Sequence, residues 1–160
     1  MLKKVLIVSI LFCVCISCDE NVSSTIPNAP VSLVLDLAGR DNALNGSLAF
    51  KEYIRDSQGN YSYNNPLATD RLGYGGILVI HGLGENILNL YAFELACPNE
   101  AVSNIRVKPE SSGLTAVCPE CKAVYNIASG GAPHSGSKFW LKRYNIVPVS
   151  ETRFRVTNLI

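Results

Sequence analysis

This 160-residue sequence has few of the side chains on which most enzymes rely. It contains two histidines, one methionine and one tryptophan, and 17% of its residues are charged. It has no Gly-x-Ser-x-Gly or His-Glu-x-x-His motif and no pair of carboxylates in apolar surroundings, so an enzyme that acts on its own is not expected. The formal net charge of +1 gives no excess of basic residues that would attract nucleic acid, so we expect no nucleic-acid partner.

The sequence also lacks an apolar run long enough to cross a bilayer as a helix. Its most apolar stretch, Val5 to Ile16, has 12 residues, whereas a span needs roughly 20. This stretch follows two lysines and ends at Ser17 and Cys18, which is typical of a targeting signal. The segment resembles the lipobox of bacterial lipoproteins, which implies that residues 1–17 are a signal peptide and that Cys18 is lipidated. An ordinary secretory peptide and an uncleaved anchor are the alternatives.

The lipid anchor implies an exported protein of a bacterial cell envelope, attached to the periplasmic or outer-membrane face. Its expected partners are the membrane and a redox or envelope protein. Residues 18–30 contain the predicted lipidated cysteine and a polar, proline-punctuated stretch, which predicts a flexible tether. Residues 31–160 have the length of one domain with one core of ordinary size.

The pattern of apolar residues predicts an all-β domain. Alternate residues of the stretch 31–37 are apolar, the period of a half-buried strand. The stretch 77–80 is apolar throughout, which fits a strand buried on both faces. Short strand candidates separated by turn signals continue to the end of the chain, as in antiparallel sandwiches and barrels. The segment 48–56 is the one stretch that could form a short helix instead.

Three cysteines lie within residues 31–160, at Cys97, Cys118 and Cys121. An odd number cannot all pair within one chain, so at least one thiol is left for a metal or for reaction. Cys97 and Cys118 each follow a predicted strand and precede a proline, Pro98 or Pro119, whose ring fixes φ near about −65° and ends the strand. Two such loops on adjacent hairpins can direct their sulfurs to one shared centre.

From about Pro30 onward the sequence resembles the Rieske iron–sulfur domain. That family carries Cys-x-His in one loop and Cys-x-x-His in the next, followed by an aromatic strand and a glycine-rich turn. Here "CPN" and "CPEC" stand at the two loops. Six later residues fall where the family pattern requires them: Tyr125, Gly130, Gly131, Gly136, Leu141 and Tyr144. The resemblance implies a small antiparallel sandwich or barrel with two cysteine-bearing loops at one tip, used for electron transfer.

The resemblance matches Cys97 and Cys118 to the two cysteine ligands of a Rieske centre, in which one iron is held by two cysteines and the other by two histidines. Both histidines are replaced here. Asn99 stands at the first histidine position and Cys121 at the second, and Ser137 replaces the proline of the covering loop. The resemblance therefore implies a cofactor contact at Asn99 and a third thiolate at Cys121.

Three outcomes are open for this site. A [2Fe–2S] cluster would use the three cysteines and a fourth ligand, for which Glu100 and His134 are the candidates. A zinc ion would take the three sulfurs and one nitrogen or oxygen. Without a metal, two of the cysteines would form a disulfide. The corresponding functions are electron transfer through a cluster with altered ligands, and a non-redox module with structural cysteines that binds a partner in the cell envelope.

Overall fold

The computed structural model describes residues 25–55, 61–63, 69–83 and 89–158. The predicted signal peptide and the predicted lipidation site at Cys18 lie outside these ranges. Within them, no helix has the length and hydropathy of a membrane span.

The described residues form twelve β-strands and one short 3-10 helix, Asn42–Asn45. In chain order the strands are β1 (Val31–Asp36), β2 (Phe50–Arg55), β3 (Tyr61–Tyr63), β4 (Arg71–Leu72), β5 (Ile77–His81), β6 (Leu90–Glu94), β7 (Lys108–Pro109), β8 (Thr115–Val117), β9 (Val124–Asn126), β10 (Ala132–Ser135), β11 (Arg143–Pro148) and β12 (Arg153–Thr157). Each strand pairing among them is antiparallel. The prediction of an all-β antiparallel domain is confirmed.

The strands form two sheets of unequal size. Eight strands make the larger sheet, in the order β3-β2-β5-β6-β11-β12-β1-β4, and four make the smaller one, in the order β10-β9-β8-β7. The larger sheet curls toward closure, so that β4 at one edge comes close to β2 near the other edge. One cysteine loop follows β6 of the larger sheet, and the other joins β8 to β9 of the smaller sheet. This is the barrel-like architecture with two cysteine loops at one tip that the sequence predicts.

Strand β5 lies between two apolar clusters and contributes side chains to both. Ile77 and Val79 face the interior of the larger sheet. Leu78 and Ile80 face the space between the two sheets, in a cluster that also contains Cys97 and Cys118. Burial on both faces of β5 is confirmed, and it explains why this strand is apolar at every position up to its last residue. The predicted face of the stretch 31–37 is confirmed as well, since the four side chains assigned to it are buried: Val31, Leu33, Leu35 and Leu37.

The short helix considered for residues 48–56 is wrong. Strand β2 occupies Phe50–Arg55 of this segment and pairs with β5, with Phe50 opposite Ile80 and Tyr53 opposite Ile77. Aromatic and β-branched side chains suit such a half-buried sheet position. Pairing with β5 therefore decides the conformation, and no helical face forms.

The end of the predicted tether lies against the domain. The side chain of Ile26 is 4% exposed. The hydroxyl of Thr25 donates a hydrogen bond to the carbonyl of Pro98, and the ammonium of Lys142 donates to Oδ1 of Asn28 at 2.8 Å. The N-terminal segment therefore joins the domain beside the first cysteine loop.

A buried carboxylate connects β6 to the turn that follows β4. Glu94 is fully buried. Its oxygens accept hydrogen bonds from the backbone N–H groups of Tyr74 at 2.8 Å, Gly75 at 2.7 Å and Ala96 at 3.1 Å, and from the hydroxyl of Tyr144 at 2.6 Å. A buried carboxylate with this many donors is well satisfied. It fixes the chain immediately before the first cysteine loop.

A second buried carboxylate, Asp41, stabilises the other end of the larger sheet. It accepts hydrogen bonds from the ammonium of Lys51 at 2.9 Å, the hydroxyl of Tyr53 at 2.7 Å and the backbone N–H of Asp36 at 2.8 Å. Burial by itself would raise the pKa of Asp41, but these hydrogen bonds and the charge of Arg40 outweigh burial and lower the pKa below its ordinary value of 3.8.

Asp41→Asn should lower the free energy of unfolding at pH 7 by about 2–4 kcal/mol, because it leaves the Lys51 ammonium without its carboxylate. In the parent chain this stabilisation is complete above the ordinary aspartate pKa and is lost as the pH falls through the lower pKa of the folded state. Denaturant unfolding between pH 7 and pH 3 measures both effects. The control Glu151→Gln, at an exposed position, should change the free energy by less than about 0.5 kcal/mol. Equal stability of Asp41→Asn and the parent at pH 7 would contradict this assignment.

Candidate metal centre

The two cysteine loops are built alike. Residues 97–101 and 118–122 both begin with Cys-Pro. In the first, the backbone N–H of Ala101 donates to the carbonyl of Cys97 at 2.8 Å, and in the second, the N–H of Lys122 donates to the carbonyl of Cys118 at 3.1 Å. Ala101 and Lys122 have φ values of 52° and 61°, a left-handed conformation that is uncommon outside glycine. Each loop is thus a tight turn that starts at its cysteine and closes four residues later.

A backbone hydrogen bond anchors the start of each loop. The N–H of Cys97 donates to the carbonyl of Ile105 at 2.9 Å, and the N–H of Cys118 donates to the carbonyl of Ala123 at 2.9 Å. Both cysteines belong to the apolar cluster between the sheets. Because the two sheets pack on this shared cluster, the loops lie side by side.

This arrangement brings the three predicted thiols together. The Sγ atoms of Cys97 and Cys121 are 3.7 Å apart, and the Sγ atoms of all three cysteines lie within 4.8 Å of one another. Cys97 and Cys118 are fully buried, whereas Cys121 is half-buried. All three are free thiols. We call this cluster the cysteine triad.

The spacing of the cysteine triad fits a single metal ion. Zinc bound tetrahedrally to sulfur at about 2.3 Å places neighbouring sulfurs about 3.8 Å apart. The separation of 3.7 Å between Cys97 and Cys121 is close to this value. Thiolates are also the ligands that zinc and iron–sulfur centres prefer. The residues present therefore fit a metal, and the cysteine triad is able to hold one.

Burial and a hydrogen bond with Cys118 raise the pKa of Cys97 to about 12. The backbone N–H groups of Glu100 and Asn99 and the hydroxyl of Tyr125, 3.8 Å from the sulfur, act in the opposite direction. Backbone N–H groups directed at a sulfur stabilise its thiolate form. The first loop thus provides donors for a thiolate that burial alone disfavours.

Cys121 lies in a different environment. Burial raises its pKa, but the backbone N–H of Ala123, the amide of Asn99 and the other two thiols outweigh burial and lower it overall. Metal binding replaces thiol protons. The cysteine triad therefore contains one thiol whose pKa is lowered and one whose pKa is raised.

Asn99 connects the cysteine triad to a third loop. Its Nδ2 donates to the sulfur of Cys121 at 3.3 Å and to the carbonyl of Gly136 at 2.9 Å, and its Oδ1 accepts from the hydroxyl of Ser137 at 2.7 Å. Gly136 has a φ of 73°, and a Cβ there would lie 3.0 Å from the Cα of Ala123. Glycine is thus required for this close approach. The side chain of Asn99 holds the loop over the thiols and contacts a sulfur through its amide.

The other predicted ligands lie outside the cysteine triad. His134 is on β10 and is exposed, and Glu100 is half-buried in the first loop. Among the described residues, the group of side chains close enough to share a metal consists of the three cysteines. The structure therefore brings together three of the candidate residues and leaves His134 apart from them.

One contact of the site was missed in the sequence, the hydrogen bond from Thr25 to Pro98. No local pattern indicates it, since 73 residues separate the two. The likeness of the two loops was predicted from the proline that follows Cys97 and Cys118.

Comparisons with known proteins add the following. No protein-family model matches the chain, and no curated protein matches it in sequence. A solved structure that is similar to it is that of a protein assigned as the NADH-dependent nitrite reductase small subunit from Mycobacterium tuberculosis. The two chains are 13% identical, with a TM-score of 0.41, and the match covers 82% of this chain and 97% of that one.

Differences in burial predict the order in which the thiols react. In protein freed of metal and disulfides by a chelator and a reductant, iodoacetamide should label Cys121 well before Cys97 and Cys118, because Cys121 alone is partly exposed. Peptide mapping by mass spectrometry measures labelling at each site. In Cys121→Ser the other two should stay slow to react. Equal labelling rates at the three sites would contradict the buried positions of Cys97 and Cys118.

Proposed function

We propose that this protein is a metal-binding module of the cell envelope in which Cys97, Cys118 and Cys121 hold one zinc ion. The supporting observation is that three thiols from two loops of like construction lie within 4.8 Å of one another. Zinc, when bound, supplies a structural clamp between the loops. The chain itself provides the thiols, the backbone N–H groups that face them and the loop held over them by Asn99.

The geometry supports a single ion better than a [2Fe–2S] cluster with altered ligands. In a Rieske centre the four protein ligands divide into two pairs, one for each iron. By the resemblance, Cys97 would bind one iron and Cys121 the other. The two bridged irons would then hold the sulfurs of Cys97 and Cys121 apart. In this structure these two sulfurs are 3.7 Å apart. The three sulfurs thus favour one coordination sphere.

Three protein donors leave one position of a tetrahedral ion for another ligand. No fourth ligating side chain joins the triad in the part of the chain that the structure describes. Zinc sites with three protein ligands take a water or an exogenous ligand at the fourth position. Cys121 marks the accessible side of the triad, since it is the half-buried member. We assign the fourth position to a water or to a donor atom of a partner that reaches this side.

Electron transfer through an iron–sulfur centre is the second candidate. It is favoured by the sequence resemblance, in which Cys97 and Cys118 take the places of the two cysteine ligands and the order of the later residues follows the family pattern. An iron–sulfur centre absorbs visible light, whereas zinc bound to thiolates is colourless. The two candidates are therefore distinguished by colour and by metal content.

We also propose that lipidated Cys18 keeps the cysteine triad close to the membrane. The segment that starts at Thr25 contacts the first cysteine loop through Pro98. Seven residues lead from Cys18 to Thr25, and a chain of this length reaches at most about 25 Å. A partner of the triad would therefore act at or near the membrane surface.

Purified protein should contain about one zinc per chain and be colourless. Cys118→Ser should lose most of the zinc and melt at a lower temperature, because it removes a central donor of the triad. Elemental analysis, the visible spectrum and thermal unfolding measure these properties. Ser111→Ala, at an exposed position outside the triad, should keep the parent's metal content. Iron with visible absorbance would favour the second candidate, and absence of both metals in the parent would overturn both.

The membrane anchor is tested by replacing Cys18. Cys18→Ser should lose the lipid and move from the membrane fraction to the soluble or secreted fraction, since acyl chains provide the attachment. Cell fractionation and the intact mass of the mature chain measure both effects. Cys13→Ser should stay membrane-bound. A Cys18→Ser chain that remains in the membrane fraction with an unchanged mass would exclude lipidation at this residue.

A further inference from the structure

A groove beside the first cysteine loop is lined by three arginines. Arg55, Arg71 and Arg106 surround it together with Pro30 and the turn at residues 72–76, and its volume is about 200 Å³. Arg55 ends β2, Arg71 begins β4, and Arg106 pairs with a residue next to Cys97. The three are far apart in the sequence, so the fold brings them to one place. No acidic residue is among those that line the groove.

Each of the three arginines donates a hydrogen bond to a backbone carbonyl. Nε of Arg106 donates to the carbonyl of Gly75 at 2.5 Å. The guanidinium of Arg55 donates to the carbonyl of Asp70, and that of Arg71 donates to the carbonyl of Thr69 at 3.3 Å. A carbonyl orients a guanidinium but does not neutralise it. The groove is thus lined by cationic groups that the surrounding backbone positions.

Three carboxylates lie near the groove, and one of them, the buried Asp70, is 4.0 Å from the guanidinium of Arg40. Glu94 lies under the turn, where four hydrogen bonds from the turn, Ala96 and Tyr144 already satisfy it. Glu52 is close enough to Arg106 for an electrostatic interaction. Within the described ranges, neither Arg71 nor Arg106 forms an ion pair shorter than 4.0 Å. An anion entering the groove would therefore meet strong attraction.

From these observations we infer that the groove binds a phosphate group. Guanidinium groups form paired hydrogen bonds with the oxygens of phosphate. Several guanidinium groups together match the double charge of phosphate better than the single charge of a carboxylate. A volume of about 200 Å³ accommodates one such group. It is smaller than the roughly 300–1,000 Å³ of sites that enclose whole drug-sized ligands. The rest of the ligand would then extend into solvent.

Two sources could supply the phosphate group. One is a soluble phosphate or phosphate monoester. The other is a phospholipid headgroup, since Pro30, one wall of the groove, ends the N-terminal segment that leads back toward Cys18. The chemistry of recognition is the same for both, because the arginines contact the phosphate oxygens.

Calorimetric titration of the purified full-length chain with sodium phosphate, at constant ionic strength, tests the inference. We expect saturable binding that Arg71→Gln weakens about tenfold, because it removes one charge-assisted pair. Arg71→Lys should retain part of the affinity. Arg155→Gln, an exposed arginine on β12, is the matched control and should bind like the parent. No saturable binding by the parent, or equal binding by the parent and Arg71→Gln, would overturn the inference.

Two further variants locate the bound phosphate. Arg106→Gln should also weaken binding. Because Arg106 supports the turn, the melting curve of this variant must be measured together with the titration. If Arg106→Gln is unstable, the result with Arg71→Gln decides. Repeating the titration with Cys118→Ser excludes phosphate bound to a metal at the triad, because groove binding should persist in this variant. Loss of binding in a folded Cys118→Ser chain would place the phosphate at the triad and overturn the inference.

Dihexanoyl phosphatidate, a soluble short-chain lipid used below its micelle concentration, distinguishes the sources. If it binds more tightly than inorganic phosphate and Arg71→Gln weakens both, the groove takes a lipid headgroup. If it binds no more tightly and the same variant weakens both, the groove takes a soluble phosphate. Binding of phosphatidate that Arg71→Gln leaves unchanged would contradict recognition in the groove.

Discussion

The meeting of two Cys-Pro loops from different sheets is the constraint on which the site depends. Each loop is closed by a hydrogen bond to the carbonyl of its own cysteine, and the N–H of that cysteine donates to a second backbone carbonyl, that of Ile105 or Ala123. The apolar cluster between the sheets sets the distance between the loops and includes Cys97 and Cys118 themselves. The sulfurs are therefore held by one of the two apolar clusters of the domain, so the spacing of the thiols depends on how the sheets pack.

The parts of the molecule that follow local rules were predictable. The alternation in residues 31–37, the apolar run of β5 and the proline after each cysteine all reflect short-range physics, and the structure agrees with what they indicate. For residues 48–56, local rules allowed both a helix and a strand, and pairing with β5 decided between them. The hydrogen bond from the amide of Asn99 to the sulfur of Cys121 depends on a third loop 37 residues away, so no sequence motif predicts it.

One side of the domain combines the features that bear on function. The N-terminal segment meets the first cysteine loop at Pro98 and continues to Pro30 at the arginine groove. The same loop contacts the turn that lines the groove, since the hydroxyl of Tyr74 donates to the carbonyl of Ala101 at 3.3 Å. A membrane anchor, a metal-bound tip and a phosphate group would thus share one region. Under the proposed function, a partner of the triad and a phosphate group would approach the same side of the domain.

X-ray absorption spectroscopy at the metal edge of the purified full-length chain tests most directly whether the three cysteines hold one ion. We predict a zinc signal with a shell of three sulfurs at about 2.3 Å, one lighter donor atom, and no neighbouring metal. A metal–metal shell at an iron edge, or a metal without three sulfur neighbours, would contradict a single ion bound by Cys97, Cys118 and Cys121.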